Sequence, residues 1–179
     1  NGDAFTSMGL DRQQALWALR RLRDERLPLF EQLEAPQEQE AALPEISERL
    51  HVFKDYHMTG LSLRAHPMSF IRGMLERHGV QPNEELRERA ANGKRITVAG
   101  IVLVRQRPGT AKGIMFMTIE DETGIANLIV KPEVRMKFQD ALLDSVFLLA
   151  RGRVQRSEGV VHLLLDEAAD VSGSFAELE

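Results

Sequence analysis

The sequence predicts an α+β fold, in which an N-terminal helical region is followed by a five-stranded β-barrel of the OB type. Nearly all strand-like sequence lies between Ile96 and Asp166, and the residues before it are typical of helices and linker. Three apolar runs, a helical segment and a final hairpin follow one another in the order of an OB-fold. The predicted parts are a helical segment at 1–30, a linker at 31–45, a helical region at 46–93, the barrel at 94–170 and an acidic tail at 171–179.

Composition is that of an ordinary soluble globular protein. Of the 179 residues, 43% are apolar and 28% are charged. No apolar run approaches the ~18 residues of a membrane span, and no signal-peptide pattern opens the chain. Because there is no cysteine, disulfides and cysteine–zinc sites are excluded. The first residue is Asn1, so we expect a fragment of a longer chain, and a cytoplasmic location fits these features.

The net charge of −4 conceals a basic barrel in an acidic chain. Residues 94–156 carry 11 Lys and Arg against 6 Asp and Glu, whereas residues 157–179 carry six acids and no Lys or Arg. A local basic patch matters more for nucleic-acid binding than the overall isoelectric point. The charge distribution therefore favours the barrel as a binding surface.

Helical signals dominate the first 93 residues. Asp11 is a good N-cap for a helix to about Arg23, and one apolar stripe is expected from Ala15, Leu16, Leu19 and Leu22. Ser47 is expected to cap a helix that ends near Thr59. Pro67 suits the first position of the next helix, which ends at Gly79, and Asn83 is expected to cap a last helix to Ala91.

Pro28 interrupts the N-terminal helical pattern in Arg26-Leu27-Pro28-Leu29-Phe30. The adjacent bulky side chains of Leu29 and Phe30 lie in a segment rich in Glu, Gln and Pro. Such a peptide can insert its anchors into a pocket on another protein. The alternative is that both side chains pack on the chain's own helices.

Five strands are predicted at about 95–106, 113–120, 125–131, 146–156 and 160–166, with a helix at 132–143. The turn Asp121-Glu122-Thr123-Gly124 uses Gly124 for a positive φ angle. Gly100 gives the long first strand a place to bend.

Basic residues flank the expected ligand face, which in an OB-fold is centred on strands two and three and on the loops joining strands one–two and four–five. Arg105, Arg107 and Lys112 lie in or beside the first loop. Arg151, Arg153 and Arg156 approach the second, and alternation places Arg151 and Arg153 on one side of their strand. An ordinary solvated basic surface remains the alternative.

Aromatic side chains for base stacking are few. Phe116 and Phe147 are on the predicted barrel strands, and Phe138 is on the helix. One of them could stack a base, or all could be core. The predicted nucleic-acid-binding residues are Arg105, Arg107, Lys112, Phe116, Arg151, Arg153 and Arg156.

Catalytic signals are weak. Glu120, Asp121 and Glu122 are adjacent carboxylates at a strand end, where neighbouring side chains diverge, so a magnesium site is not favoured. The five histidines lack zinc-ligand spacing, and no Gly-rich phosphate loop or nucleophile motif occurs. We therefore expect no active site, metal or cofactor in these residues.

Three blocks resemble the C-terminal region of bacterial C-family DNA polymerases, in the error-prone group related to the replicative polymerase III alpha subunit. The first comprises Gly2-Asp3-Ala4-Phe5, Met8-Gly9-Leu10 and Gln14-Ala15-Leu16-Trp17. The second comprises Asp55-Tyr56, Thr59-Gly60-Leu61-Ser62-Leu63 and Ala65-His66-Pro67. The third covers 98–109, Gly113, Met115-Phe116 and 120–128.

The resemblance implies a DNA-directed DNA polymerase acting in translesion synthesis and DNA repair. Its two-metal magnesium site would lie upstream of these residues, and the barrel would lie near single-stranded template. Leu27, Leu29 and Phe30 resemble the sliding-clamp-binding pentapeptide, although Arg26 stands where that motif has Gln. The implied partners are single-stranded DNA, the sliding clamp and other mutasome proteins, without a membrane.

Two other functions share the predicted element order. OB barrels also bind proteins, so the region could contact other mutasome or replisome components. The anticodon-binding barrel of an aminoacyl-tRNA synthetase is the second alternative, although the helical blocks around Trp17 and His66-Pro67 count against it.

Overall fold

The computed structural model describes residues 5–10, 12–21, 51–52, 56, 62 and 65–173. The chain forms two compact units, Asn1–Leu61 and Ser62–Glu179. The predicted Asp11 cap, the Leu27, Leu29 and Phe30 segment, the 31–45 linker and the end of the acidic tail lie outside the described residues. No described helix is both long and apolar enough to cross a membrane.

The first unit contains a short 3₁₀ helix, Thr6–Met8, and helix α1, Arg12–Arg21. Ala15 is buried, whereas Leu16, Trp17 and Leu19 are each between 44% and 49% exposed. Of the predicted stripe, Ala15 is therefore buried, Leu16 and Leu19 are about half exposed, and Leu22 lies outside the described residues.

The second unit contains a closed five-stranded barrel, which confirms the predicted fold. Its strands are β1 (Arg95–Gln106), β2 (Met115–Asp121), β3 (Gly124–Val130), β4 (Phe147–Ser157) and β5 (Val160–Asp170). They are hydrogen-bonded in the order β1-β2-β3-β5-β4 and close through β4 and β1. Every pairing is antiparallel except β3–β5.

Alternation along the strands fills the barrel with apolar side chains. On β2, Met115, Met117 and Ile119 are buried while Phe116 and Thr118 are half-buried, as a two-residue period requires. Leu128, Leu148, Leu163 and Leu165 are among the fully buried residues of the core. The core thus occupies the lumen and leaves the outer face available for binding.

Two glycines allow close strand contacts that no larger residue would. A Cβ atom on Gly100 would lie 2.5 Å from the Glu120 carbonyl oxygen, and one on Gly152 would lie 2.2 Å from that of Leu164. Gly100 was predicted to mark a bend in β1; the register irregularity of this strand lies between Val102 and Val104.

The segment before the barrel packs against it. His66 caps a 3₁₀ helix, Pro67–Phe70, by accepting a 3.1 Å hydrogen bond at Nδ1 from the Met68 N–H. Helix α2, Arg72–Arg77, is followed by Gly79 with a φ of +74°, which confirms the predicted stop. A π-helix, Glu85–Arg89, contributes Leu86 to the barrel core.

Asn83 differs from its predicted role as a helix cap. Its side-chain amide donates a 2.9 Å hydrogen bond to the Gly124 carbonyl, and its backbone N–H donates to Asp121. A long-range contact with the β2–β3 turn has replaced the local cap, because the buried carboxylate of Asp121 at this turn needs hydrogen-bond donors.

Helix and strand bounds differ from prediction at two further places. The predicted helix 132–143 is two helices, α3 (Pro132–Lys137) and α4 (Gln139–Asp144), with a break at Phe138. Strand β5 runs four residues beyond its predicted end because residues 167–170 pair with the start of β4.

Candidate nucleic-acid interface

One row of outward side chains crosses the whole barrel perpendicular to its strands. Cross-strand pairing joins Gln106 to Phe116, Phe116 to Ile129, Ile129 to Leu164, Leu164 to Arg153 and Arg153 to Arg95. We call these six residues the lateral row. The row begins on β1 at Gln106 and returns to β1 at Arg95, eleven residues earlier in the strand. Such an offset in register is required to close a small barrel.

Phe116 provides the aromatic surface of the lateral row. It is half-buried on the outer side of β2 and does not belong to the buried core. Phe147 is buried, and Phe138 packs against the core from the α3–α4 break. Of the three aromatics considered from the sequence, Phe116 is therefore the one placed to stack a base.

The centre of the lateral row is apolar, its Arg153 and Arg95 end is basic, and its other end is the neutral Gln106, which precedes a loop with two cations. Ile129 and Leu164 are half-buried neighbours on the parallel pair β3–β5. Strands lie about 4.8 Å apart, so Phe116 and Arg153, three strands apart, are separated by roughly 14 Å around the barrel. Bases could rest on the apolar centre while phosphates meet cations at either end.

Arg107 and Lys112 lie at the Phe116 end, in the exposed loop between Gln106 and Met115. Lys112 has a φ of +49° and is followed by Gly113 at +85°, so the loop turns sharply there. The loop that carries both basic residues joins the two strands on which the row begins, at Gln106 and Phe116.

Arg151 and Arg153 lie on the outer face of β4, as alternation predicted, and both are exposed. Arg151 is 3.6 Å from Glu167 on β5. Arg153 lies opposite Leu164 on one side and Arg95 on the other, and it makes no ion pair with the described carboxylates.

Arg105 has a different environment from the other cations. Its register with Met117 directs it to the inner side of the barrel end. There it donates a 2.7 Å hydrogen bond to the Leu142 carbonyl and another to that of Ser145, at the C-terminal end of α4. Burial lowers the pKa of Arg105, although the charge of Asp144 opposes this effect. Its guanidinium is thus engaged in holding α4 to β1.

Arg156 is likewise engaged within the fold. It donates hydrogen bonds of 2.9 to 3.2 Å to the carbonyl oxygens of Ala90, Leu86 and Arg87. These are the last carbonyls of the π-helix, where a cation is favourable. Alternation along β4 separates Arg156 from Arg151 and Arg153. It could not identify Arg105, because the register of β1 shifts between Val102 and Val104.

The carboxylates of the β2–β3 turn form a structural cluster with Arg72. Asp121 is 2% exposed and accepts from Arg72 at 2.7 Å, from the Asn83 N–H at 2.9 Å and from Thr123. Arg72 also donates to Glu122. Burial alone would lower the pKa of Arg72, but hydrogen bonds and charges from Glu122 and Asp121 outweigh it and raise the pKa. Among the described residues, no group of three His, Asp or Glu side chains is arranged to hold a metal ion.

Arg95, Ile129 and Leu164 were missed by sequence reasoning. Each is unremarkable in the sequence, and each joins the row only through pairing with a distant strand. Arg95 is the first residue of β1, which pairs with the Arg-rich strand β4. Its position there is the signal that could have identified it.

Sequence relatives cover nearly the whole chain. An error-prone DNA polymerase of Rhodopseudomonas palustris strain HaA2 is 46% identical over 99% of this chain, and that of strain BisA53 is 48% identical over 99%. An error-prone DNA polymerase of Brucella suis is 45% identical over 99%. The chain spans only 16–17% of the length of these relatives.

The model of an OB-fold nucleic acid binding domain matches residues 96–171, which are the barrel. Among solved structures, asparaginyl-tRNA synthetase from Pyrococcus horikoshii in complex with asparaginyl-adenylate shares 22% identity and a TM-score of 0.42, over 51% of this chain and 22% of that one. An aspartyl-tRNA synthetase from Entamoeba histolytica gives 20% and 0.43, over 52% and 21%.

Proposed function

We propose that this chain, a homologue of a segment of the error-prone DNA polymerases, is a non-catalytic region of such an enzyme whose barrel binds single-stranded template DNA. The single observation that carries the proposal is the lateral row. Its Phe116 and apolar centre lie between Arg153 and Arg95 at one end and the loop that carries Arg107 and Lys112 at the other. Single-strand binders combine aromatic stacking surfaces with a positively charged groove in this way.

The names of the relatives support a wider role in DNA synthesis. Template-directed nucleotidyl transfer, with its magnesium ions, would belong to another part of the polymerase. The polymerase activity would act in the cytoplasm, in translesion synthesis and DNA repair. There it would copy template strands that carry damage. The barrel would hold template by stacking and charge, without reading base sequence.

Single-stranded DNA binding is tested by fluorescence anisotropy with a labelled oligothymidylate at rising salt. Phe116→Ala should weaken binding by about 1–3 kcal/mol, the cost of losing one stacked base. Arg153→Glu should lower the slope of log affinity against log salt by ~0.7 or more, because a phosphate contact is lost.

Lys137→Glu is the matched control, because Lys137 is exposed on α3 and lies 5.0 Å from the centre of the Phe138 ring. It should leave both affinity and slope unchanged. Arg105 and Arg156 are avoided because their substitution would disturb folding. Folded wild type that binds no oligonucleotide at low salt would contradict the proposal.

A protein-interaction role is the second candidate. It is favoured by the exposed apolar residues of the outer surface, such as Leu103 and Val104, which are 46% and 40% exposed. The protein-interaction role would be supported if the chain bound a mutasome or replisome protein at high salt and did not bind DNA. A preference for one tRNA over single-stranded DNA would instead favour the anticodon-binding alternative.

Clamp binding through Leu27, Leu29 and Phe30 stays a prediction from the sequence. A pull-down with the sliding clamp tests it, comparing wild type with Leu29→Ala combined with Phe30→Ala. Undiminished capture of the clamp by the double variant would remove this segment from the proposal.

A further inference from the structure

A cleft of about 550 Å³ opens where the lateral row reaches β1. Its polar and charged lining residues are His78, Gln81, Lys94, Arg95, Thr97 and Arg151. Three of these are cations and none is a carboxylate. The cleft is thus a concave basic surface, beyond the β2–β3 face that the proposed function uses.

The main chain builds the cleft rigidly. The N–H of Gln81 donates a 2.7 Å hydrogen bond to the Thr97 carbonyl, and Gln81 forms an isolated parallel bridge with Val98. Thr97 lies directly opposite Arg151 in the β1–β4 pairing. One wall is therefore held to the strand that forms the floor.

Acidic neighbours neutralise these cations only weakly. Lys94 is 4.0 Å from Glu85, Arg95 is 3.3 Å from Asp166 and Arg151 is 3.6 Å from Glu167. The three basic side chains are each at least 50% exposed, and the three acids lie outside the lining. Arg151 and Glu167 form an exposed pair, which contributes little, and Lys94 is 4.0 Å from Glu85. The exposed side of all three cations remains available to another anion.

Arg95 and Arg153 supply an independent indication of an anionic ligand. They are directly opposite each other on neighbouring antiparallel strands, and both point outward. Like charges placed opposite one another destabilise a sheet. Asp166 offsets part of this repulsion from the Arg95 side, whereas Arg153 has no ion pair with a described carboxylate. An anion between the two guanidinium groups would therefore be bound by both.

We propose that the cleft binds backbone phosphates of the strand that leaves the lateral row. The strand would pass from Phe116 over Ile129 and Leu164 to Arg153, and then enter the cleft at Arg95. The inference rests on the proposed function and extends it, because Lys94, Arg95 and Thr97 are additional to the residues that bind the bases.

Length-dependent binding tests this path in the 179-residue chain. Labelled oligothymidylates of about 4 and about 16 nucleotides span the site sizes of OB-folds. The double variant Lys94→Gln with Arg95→Gln should lower the salt slope for the longer strand by ~1.4, since two phosphate contacts are lost. The shorter strand occupies the lateral row and does not reach Lys94, so its slope should fall by no more than the ~0.7 of the Arg95 contact.

The matched control is Arg89→Gln with Lys137→Gln, which removes one Arg and one Lys from exposed positions outside the lining. It should keep the wild-type slope for both strands. Thermal unfolding of both double variants checks that the barrel is intact.

Three results would overturn the inference. Wild type that binds neither strand removes the proposed function and the cleft with it. Wild type that binds both strands, with equal slopes in the two double variants, removes the cleft alone. Loss of poly-glutamate binding in the cleft variant, with oligonucleotide binding retained, would assign the cleft to an acidic peptide.

Discussion

At the scale of single residues, neighbours that are distant in sequence decide what each charged group does. His66 caps its 3₁₀ helix through Nδ1, and its Nε2 lies 3.8 Å from Glu120. Burial lowers the pKa of His66 below its ordinary 6.5, while the charges of Glu120, Glu122 and Asp121 oppose this. The folded chain therefore favours the neutral imidazole, the form that can accept at Nδ1.

His66→Asn should flatten the pH dependence of stability on the acid side of neutrality. Because the folded-state pKa is lowered, the unfolded chain binds a proton more readily, so wild-type stability falls as the pH drops through 6.5. Asn keeps a cap acceptor but does not titrate. Urea unfolding between about pH 5 and pH 8 measures this, and an unchanged slope would contradict it.

Arg105 should matter for folding more than for DNA. Arg105→Met removes two charged hydrogen bonds to the α4 carbonyls and should lower the free energy of unfolding by about 1.5–3 kcal/mol. Arg153→Met is the matched control, since Arg153 is exposed and makes no ion pair with a described carboxylate. Equal denaturation midpoints for the two variants would refute the structural role of Arg105.

At the scale of elements, two features stabilise the barrel: the contacts of the β2–β3 turn, and the close approach of neighbouring strands at Gly100 and Gly152. The turn is tied to α2 and to the start of the π-helix by Arg72, Asn83 and a 3.0 Å hydrogen bond from the Glu84 N–H to Thr123. These contacts connect residues about 40 to 50 positions apart.

Arg72→Met should destabilise the chain by about 3–5 kcal/mol, because Asp121 would remain as a buried carboxylate without its charge partner. Adding Asp121→Asn should restore part of the loss, since the charge is then gone. A thermal denaturation series of the two single variants and the double variant measures the coupling. Additive losses would argue against it.

Gly152→Ala should be destabilising by about 1–3 kcal/mol, because its Cβ would meet the Leu164 carbonyl at 2.2 Å and force β4 from β5. Gly73→Ala is the control: nothing lies within 4 Å of its Cβ position in α2. That substitution should be neutral or slightly stabilising. Similar unfolding temperatures for the two variants would count against the close contact.

At the scale of the whole molecule, residues 65–93 belong with the barrel. Leu86 and Ala90 are part of its core cluster, and the compact second unit begins at Ser62. The sequence placed a boundary at 94 because periodicity changes there from helical to strand-like. Packing across that change is not visible in a linear pattern.

A fragment of residues 62–179 should therefore unfold in one cooperative transition, whereas a fragment of 94–179 should not fold stably. The shorter fragment lacks Arg72 and Asn83, which satisfy Asp121, and Leu86, which fills the core. Circular dichroism during thermal unfolding distinguishes them. A cooperative transition at equal temperature in both would show that residues 62–93 are dispensable.

The sequence by itself determined the number and order of the strands, the α+β class and the basic character of the barrel. Two-residue alternation, glycine turns and local charge depend on near neighbours, so they can be read along the chain. Resemblance in three blocks likewise indicated the polymerase relatives, without any knowledge of packing.

Only the tertiary structure decided which cations lie on the outer face of the barrel and which residues lie beside them. Strand register depends on the closure of the whole barrel, and closure joined Phe116 to Arg153 and Arg95 through two other strands. A register shift in β1 between Val102 and Val104 turned Arg105 inward, towards the carbonyls at the end of α4. Arg156 reaches the Ala90 carbonyl, 66 residues away in sequence. A one-residue difference in register would exchange these faces, which is why the linear pattern alone could not assign them.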